Sequence, residues 1–351
     1  MPFTSWRKSS TAPSWGPTDK RGSICIPSCG TVMAQRRAEV TQDLRIHAAA
    51  LLYFDAVRRA GSIREAARRL NVASSAVNRQ ILKLEAEIGA PLFDRFPDGI
   101  KLTSAGEAIA RHVLVVLQDL DRARSDIEGL KGARIGHIAI AAVEGVCGAL
   151  LADVIRRLRA RTPRVTVAAE PMGSLAIPKA VLDGDVDLGI AFALPRQAEL
   201  RQVAVGRFRL GAIMAPDHPL ASRTKVSLSM CFDYPVIMPM GELSIGQLLA
   251  PALARLSRNV RPIIRSSSIE LMRELAERGT GIAFQTRVGL DRHITEKRLV
   301  HIPLDAGGPI WSDLGVYVRA GRALPATLDL ALHILAEELR EREAAEAWAQ
   351  V

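Results

Sequence analysis

Ser74, Ser75, Asn78, Arg79 and Lys83 fall on one side of a stretch whose other side carries Val77, Ile81, Leu84 and Ile88. Hydroxyls and a carboxamide can bond base edges, while guanidinium and ammonium groups hold phosphates, so this face suits reading duplex DNA. Arg64, Arg95, Lys101 and Thr103 flank it and are expected to position the DNA backbone. A second set is Glu144-Gly145-Val146, Gly173-Ser174, Glu242-Leu243-Ser244 and Ser267-Ser268. Each group follows an expected strand and precedes an expected helix, so free backbone N–H groups and hydroxyls should converge on a small polar ligand. A carboxylate is the natural ligand for such a set. Glu144 would repel it, a conflict that an amine-bearing or zwitterionic ligand, or a Glu144 turned to solvent, would remove.

The first set needs two short helices to carry it. Ser62 followed by Glu65 reads as a capping box, with Ile63, Ala66, Ala67 and Leu70 at helical spacing behind it. Asn71 tolerates the left-handed backbone of a tight turn. A second helix then opens at Ser74 and Ser75 and ends at Gly89 and Pro91. Two helices joined this way form a helix-turn-helix whose second member enters the major groove.

The run from Leu51 to Thr103 closely resembles the DNA-binding domain of LysR-type transcriptional regulators. The likeness is carried by Gly61-Ser62, Ala66-Ala67 with Leu70, Ala76 with Gln80-Ile81 and Leu84-Glu85, Gly89 with Leu92-Phe93 and Arg95, and Leu102-Thr103 with Ala105-Gly106. Two departures lie on the base-reading surface: Ala73-Ser74-Ser75 stands where that family usually has Ser-Gln-Pro, and Asn78 where it usually has Ser. The resemblance implies an all-α winged helix-turn-helix over residues 47–103.

At 351 residues the chain has room for two or three domains. The net charge is +10, of which the 47–103 stretch holds only +3, so basicity by itself argues weakly for nucleic acid. Residues 1–46 lack periodicity and read as a disordered extension, with Met33 as an alternative start. Four cysteines, Cys25, Cys29, Cys147 and Cys231, are too few for a disulfide framework, and no Cys/His cluster has zinc spacing. Asp183, Asp185 and Asp187 look like the start of a calcium loop, but Leu188 and Leu194 stand where its glycine and glutamate belong. No metal or other cofactor is expected. With no membrane-length apolar run and no secretion signal in view, the expected location is cytoplasmic.

A long linker helix is expected over 104–133, opened by a capping box from Ser104 to Glu107. Ile109, Val113, Val116, Leu120, Ala123, Ile127 and Leu130 alternate in steps of four and three, the spacing of a coiled-coil seam. A self-complementary stripe invites a two-fold partner, so the seam is expected to dimerise the chain.

From residue 134 onward short apolar runs alternate with helical ones, which implies an α/β domain with mainly parallel strands. Met172-Gly173-Ser174, the run from Asp183 to Ile190, Asp217-His218-Pro219-Leu220 and Gly279-Thr280-Gly281-Ile282 resemble the effector domain of the same regulators. Gln285-Thr286 departs from it, where Leu-Pro is usual. The resemblance implies an effector-binding domain over 134–345 with two lobes like a type 2 periplasmic binding protein: 134–194 plus 304–345, and 195–303. No phosphate loop, nucleophile elbow or zinc-protease motif is present, which disfavours an enzyme. The expected partners are a double-stranded DNA operator, a small-molecule effector, a second copy of the chain in a homodimer or homotetramer, and RNA polymerase, but no membrane.

Overall fold

The computed structural model describes residues 49–97, 99–130, 136–240, 243–256 and 261–348. The expectations on residues 1–46 and on Glu242 lie outside them, as does the side chain of Leu130.

Three helices open the fold: α1 (Ala49–Ala60), α2 (Ile63–Leu70) and α3 (Ser74–Ile88). Asn71 ends α2 with φ 53°, as its side chain allows. Phe54, Val57, Ala66, Val77, Ile81 and Leu92 form the centre of a small core. Ile88, expected on the buried face, is 37% exposed because the buried face of α3 ends at Leu84 and the last turn lies beyond it. Ser62 precedes α2 as expected but makes no side-chain cap; Glu65 turns instead to Arg68 and Arg69, both at 2.7 Å. Strands β1 (Phe93–Phe96) and β2 (Gly99–Leu102) pair antiparallel as the wing.

Helix α4 (Ser104–Leu130) follows, about 40 Å long at 1.5 Å per residue. Its cap is one residue earlier than the sequence indicates. Thr103 Oγ1 accepts from the Gly106 N–H at 3.0 Å and donates to the Pro91 carbonyl at 2.7 Å. The seam expected along α4 is divided by the fold. Val113 and Leu117 are buried in the helix-turn-helix core, and Leu114 and Leu120 are buried too, because α4 packs against α1, the wing, the turn at Gly184 and α11 (Ala326–Trp348). Ile109 and Val116 are half-buried, whereas Ala123 and Ile127 are exposed.

Residues 136–348 build around two further cores. In the first, β3 (His137–Ala142) lies between β4 (Thr166–Pro171) and β5 (Leu188–Phe192), all parallel. β3 beyond His137 and all of β5 are fully buried, which is why they read as unbroken apolar runs. The π-helical turn Cys147–Leu151 leads into α5 (Ala152–Arg161), and α6 (Ile177–Leu182) covers β5. The expectation of mainly parallel strands fails beyond β5. There the long strand β6 (Leu200–Met214) crosses from the first core to the second and pairs antiparallel with each of its neighbours.

In the second core β6 meets β9 (Ala283–Thr286) and β10 (Val300–Pro303), with β7 (Ile237–Pro239) and β8 (Ile264–Ser266) parallel beside them. Helices α7 (Leu228–Cys231), α8 (Ser244–Ala254), α9 (Ile269–Glu277) and α10 (Asp291–Thr295) belong to this part. Strand β11 (Trp311–Arg319) returns to the first core between β5 and β6, and α11 (Ala326–Trp348) packs on α5 and β6. Leu194, Leu200, Val203 and Phe208 pack with the first core, so the change of lobe falls within β6 and not at residue 195.

Candidate nucleic-acid interface and ligand cleft

Helix α3 is held by the wing through a carboxylate. Glu85 Oε1 accepts from the Leu92 N–H at 2.7 Å and from the Phe93 N–H at 3.3 Å, fixing where β1 leaves the helix. Arg64, Ser74, Ser75, Arg79, Lys83, Arg95 and Lys101 are exposed, and Asn78 is half-buried beside them. Arg95 Nη2 donates to Asn78 Oδ1 at 2.9 Å, which joins the wing to the middle of the recognition face. Lys83 lies 3.7 Å from Glu87 and Lys101 stands 5.3 Å over the Phe96 ring, both loose contacts on an open surface. Thr103 is the exception: its hydroxyl is committed to the α4 cap. Of the nine residues expected to contact DNA, the fold leaves seven exposed and Asn78 half-buried, and it brings Asn78 and Arg95 into contact.

The acidic turn after α6 has a different task from the calcium site it superficially resembles. Arg59 Nη1 donates to Asp185 Oδ1 at 2.8 Å, its Nη2 to the Gly184 carbonyl at 2.9 Å, and its Nε to Asp55 at 2.8 Å. Arg58 donates to the Asp183 carbonyl at 2.7 Å. Burial alone would pull the Arg59 pKa down, but the Asp55 and Asp185 carboxylates outweigh it and hold it above the ordinary value. Gly184 has φ 70°, and a Cβ there would come within 2.8 Å of Leu114 Cδ2, so the turn also presses on α4. Asp187 accepts from the Ala139 N–H at 2.8 Å and from Arg322 at 2.6 Å. Among the described residues no cluster of His, Cys, Asp or Glu could hold a metal ion.

The ends of β3, β4, β5, β7 and β9 and the starts of α8 and α9 enclose a cavity of ≈ 320 Å³ between the two cores. Openings at the carboxyl ends of strands are where α/β sheets bind ligands. Seven of the expected residues line it: Glu144, Gly145, Gly173, Ser174, Leu243, Ser244 and Ser267. Val146 does not, being buried in the first core. Ser268 sits behind the lining as the cap of α9, accepting from the Leu271 N–H at 3.2 Å. Gly289, φ 92°, lies so close to the Gly145 carbonyl that a Cβ would be 2.0 Å from it, which brings the loop after β9 against the loop after β3.

The orientation of Glu144 matches none of the arrangements anticipated from the sequence. Its carboxylate accepts from Ser268 Oγ at 2.9 Å, the Ile269 N–H at 2.8 Å and the Glu270 N–H at 3.2 Å. Burial and Glu144 together push the neighbouring Cys147 thiol up to about 11, so it is not a thiolate at neutral pH. Sequence reasoning missed the apolar wall, including Met172, Phe192, Met240 and Ile245, and the polar pair Gln285 and Thr286. The pair was discernible as a departure from the family pattern, whereas the wall residues resemble any core.

The family description "LysR substrate binding domain" matches residues 131–340, and "Bacterial regulatory helix-turn-helix protein, lysR family" matches residues 48–107. The RuBisCO operon transcriptional regulator of Allochromatium vinosum is 24% identical over 290 residues, covering 83% of this chain and 96% of that protein. A full-length OxyR variant from Pseudomonas aeruginosa has a similar fold, with TM-score 0.64 at 18% identity over 83% of this chain and 93% of its own. Full-length LysG from Corynebacterium glutamicum, solved with its effector Arg bound, gives 0.59 at 17% identity over 84% and 98% of the two chains. The two family matches together span both the exposed polar face of α3 and the cleft. The chain belongs to the LysR family of DNA-binding transcriptional regulators.

Proposed function

We propose that this regulator recognises an interrupted inverted-repeat operator through α3 and that a small molecule in the interlobe cleft controls the response. The observation that carries the reading is the pairing of an exposed polar face on α3, fixed to its wing by the Asn78–Arg95 bond, with a preformed cavity lined by residues of both lobes. Ser74, Ser75, Asn78 and Arg79 read bases; Arg64, Lys83, Arg95 and Lys101 hold phosphates. Two copies pair through the part of α4 that its own chain leaves open, around Val116, Ala123 and Ile127, and two-fold symmetry then demands a symmetric operator. The pair acts in the cytoplasm and contacts RNA polymerase; no described helix is long and apolar enough to cross a membrane.

Selection of bound sequences from a random DNA pool tests the first half. Recovery of a motif with two symmetric half-sites supports the reading, and a single unpaired motif or no enrichment defeats it. Footprinting of that operator with and without a compound that stabilises the full chain tests the second half.

A further inference from the structure

We infer that the cleft takes an uncharged ligand with an apolar body and oxygen acceptors, because the chain's own Glu144 already fills the anion position at the α9 N-terminus. The inference rests on the cleft being the effector site. Glu144 leaves the first lobe at the end of β3, and α9 belongs to the second. Its two oxygens collect one hydroxyl and two backbone N–H donors, the set a helix N-terminus offers to an incoming anion. A carboxylate ligand must therefore displace Glu144 or lie beside it. Neither is favourable, since no Lys, Arg or His is among the described residues lining the cavity. A cation finds no second carboxylate among the described residues of the lining, and most of the acceptor capacity of Glu144 is already taken by three donors.

Two buried groups show what the cavity does want. Ser174 and Gln285 line it and are 5% and 3% exposed, and Ser174 Oγ and Gln285 Nε2 are buried with no hydrogen-bond partner. Leaving such donors unpaired is costly, and carbonyl or hydroxyl oxygens of a ligand would satisfy them. Val143, Met172, Phe192, Met240, Leu243 and Ile245 supply the apolar wall.

The test is calorimetric titration and thermal shift of the full chain with phenylacetamide, phenylacetate and phenethylamine, and with isovaleramide and isovalerate. The amides should bind the wild type at least about tenfold more tightly than the acids or the amine. Glu144→Ala should gain at least about tenfold for phenylacetate, and Glu144→Gln, which keeps the shape, should gain in the same direction. Acids that bind the wild type as tightly as the amides overturn the inference, and so does amide binding too weak to detect. Phenylacetate affinity that is the same in wild type and both variants overturns the role given to Glu144. An amide that binds while leaving the operator footprint unchanged would count against the cleft as effector site and leave its charge preference standing.

Discussion

The bond between Arg95 and Asn78 sets an unusual expectation for DNA recognition. An Asn reads adenine with two arms, Oδ1 accepting from N6 and Nδ2 donating to N7, and a good bidentate contact is worth ~1–3 kcal/mol. In the free protein Oδ1 is taken by Arg95 at 2.9 Å. The bond is exposed and charge-assisted, so breaking it costs about 1 kcal/mol, roughly fivefold in affinity. Asn78 should therefore discriminate near the bottom of the range, ~1 kcal/mol. Arg95→Ala should release the arm and raise discrimination at that one base pair about fivefold, while weakening all sites together and reducing the salt slope by about one phosphate. Asn78→Ala in the Arg95→Ala background should abolish the gain. Fluorescence anisotropy with the selected operator and its single-base variants, at two salt concentrations, reads both effects. Unchanged or lower discrimination at every position in Arg95→Ala, with affinity reduced, would refute the view that Arg95 withholds an arm of Asn78 from the DNA.

Arg59→Gln removes a buried charge from between Asp55 and Asp185 and should cost about 3 kcal/mol in urea unfolding, the low end for such sites because Asp55 keeps Arg58. Asp185→Asn, at the more open end of the pair, should cost at most about 1 kcal/mol, and equal costs would show that burial is not what matters. Burial pushes the Glu346 carboxyl up to about 7, and its Oε2 has no partner. The folded state thus favours the protonated form, so this group's contribution is fullest below its ordinary value of 4.5 and is lost as pH rises through 7. Thermal melts of Glu346→Gln should lie close to wild type at pH 5 and above it at pH 8; a constant gap would place the pKa shift elsewhere. Ile127→Glu should weaken self-association in sedimentation while leaving the monomer's melting intact, whereas Leu120→Glu should destabilise the chain itself by several kcal/mol. The reverse pattern would return the seam to the buried stripe.

Much of this was legible because local signals and tertiary roles coincide. Ala66, Ala67, Val77 and Ile81 bury the face that their spacing indicates, and β3 after His137 and all of β5 are apolar because they are covered on both sides. The first two-thirds of β6 carries no clear apolar run, because on one side it is an edge beside β11, where Arg201, Arg207 and Arg209 interrupt the pattern as edge strands require. The stripe on α4 was read as one seam, yet a periodic apolar face does not say who covers it, and here α1 and the wing claim part. In the cleft, loops after strands indicated where a ligand sits. That Glu144 would find the α9 N-terminus 125 residues away depends on how the two lobes face each other, which no local pattern encodes.

The acidic turn after α6 holds two arginines of α1 and rests against Leu114 of α4. A reading unit fastened to both a neighbouring lobe and its own linker has lost the free swivel that a single hinge would leave it. The helix-turn-helix, the first lobe and the first half of α4, whose Ala105, Ile109, Val113 and Leu117 lie in the helix-turn-helix core, then form one block. A rotation of the first lobe would be passed directly to the helix-turn-helix, with the arginine clasp as the pin that keeps the two in step.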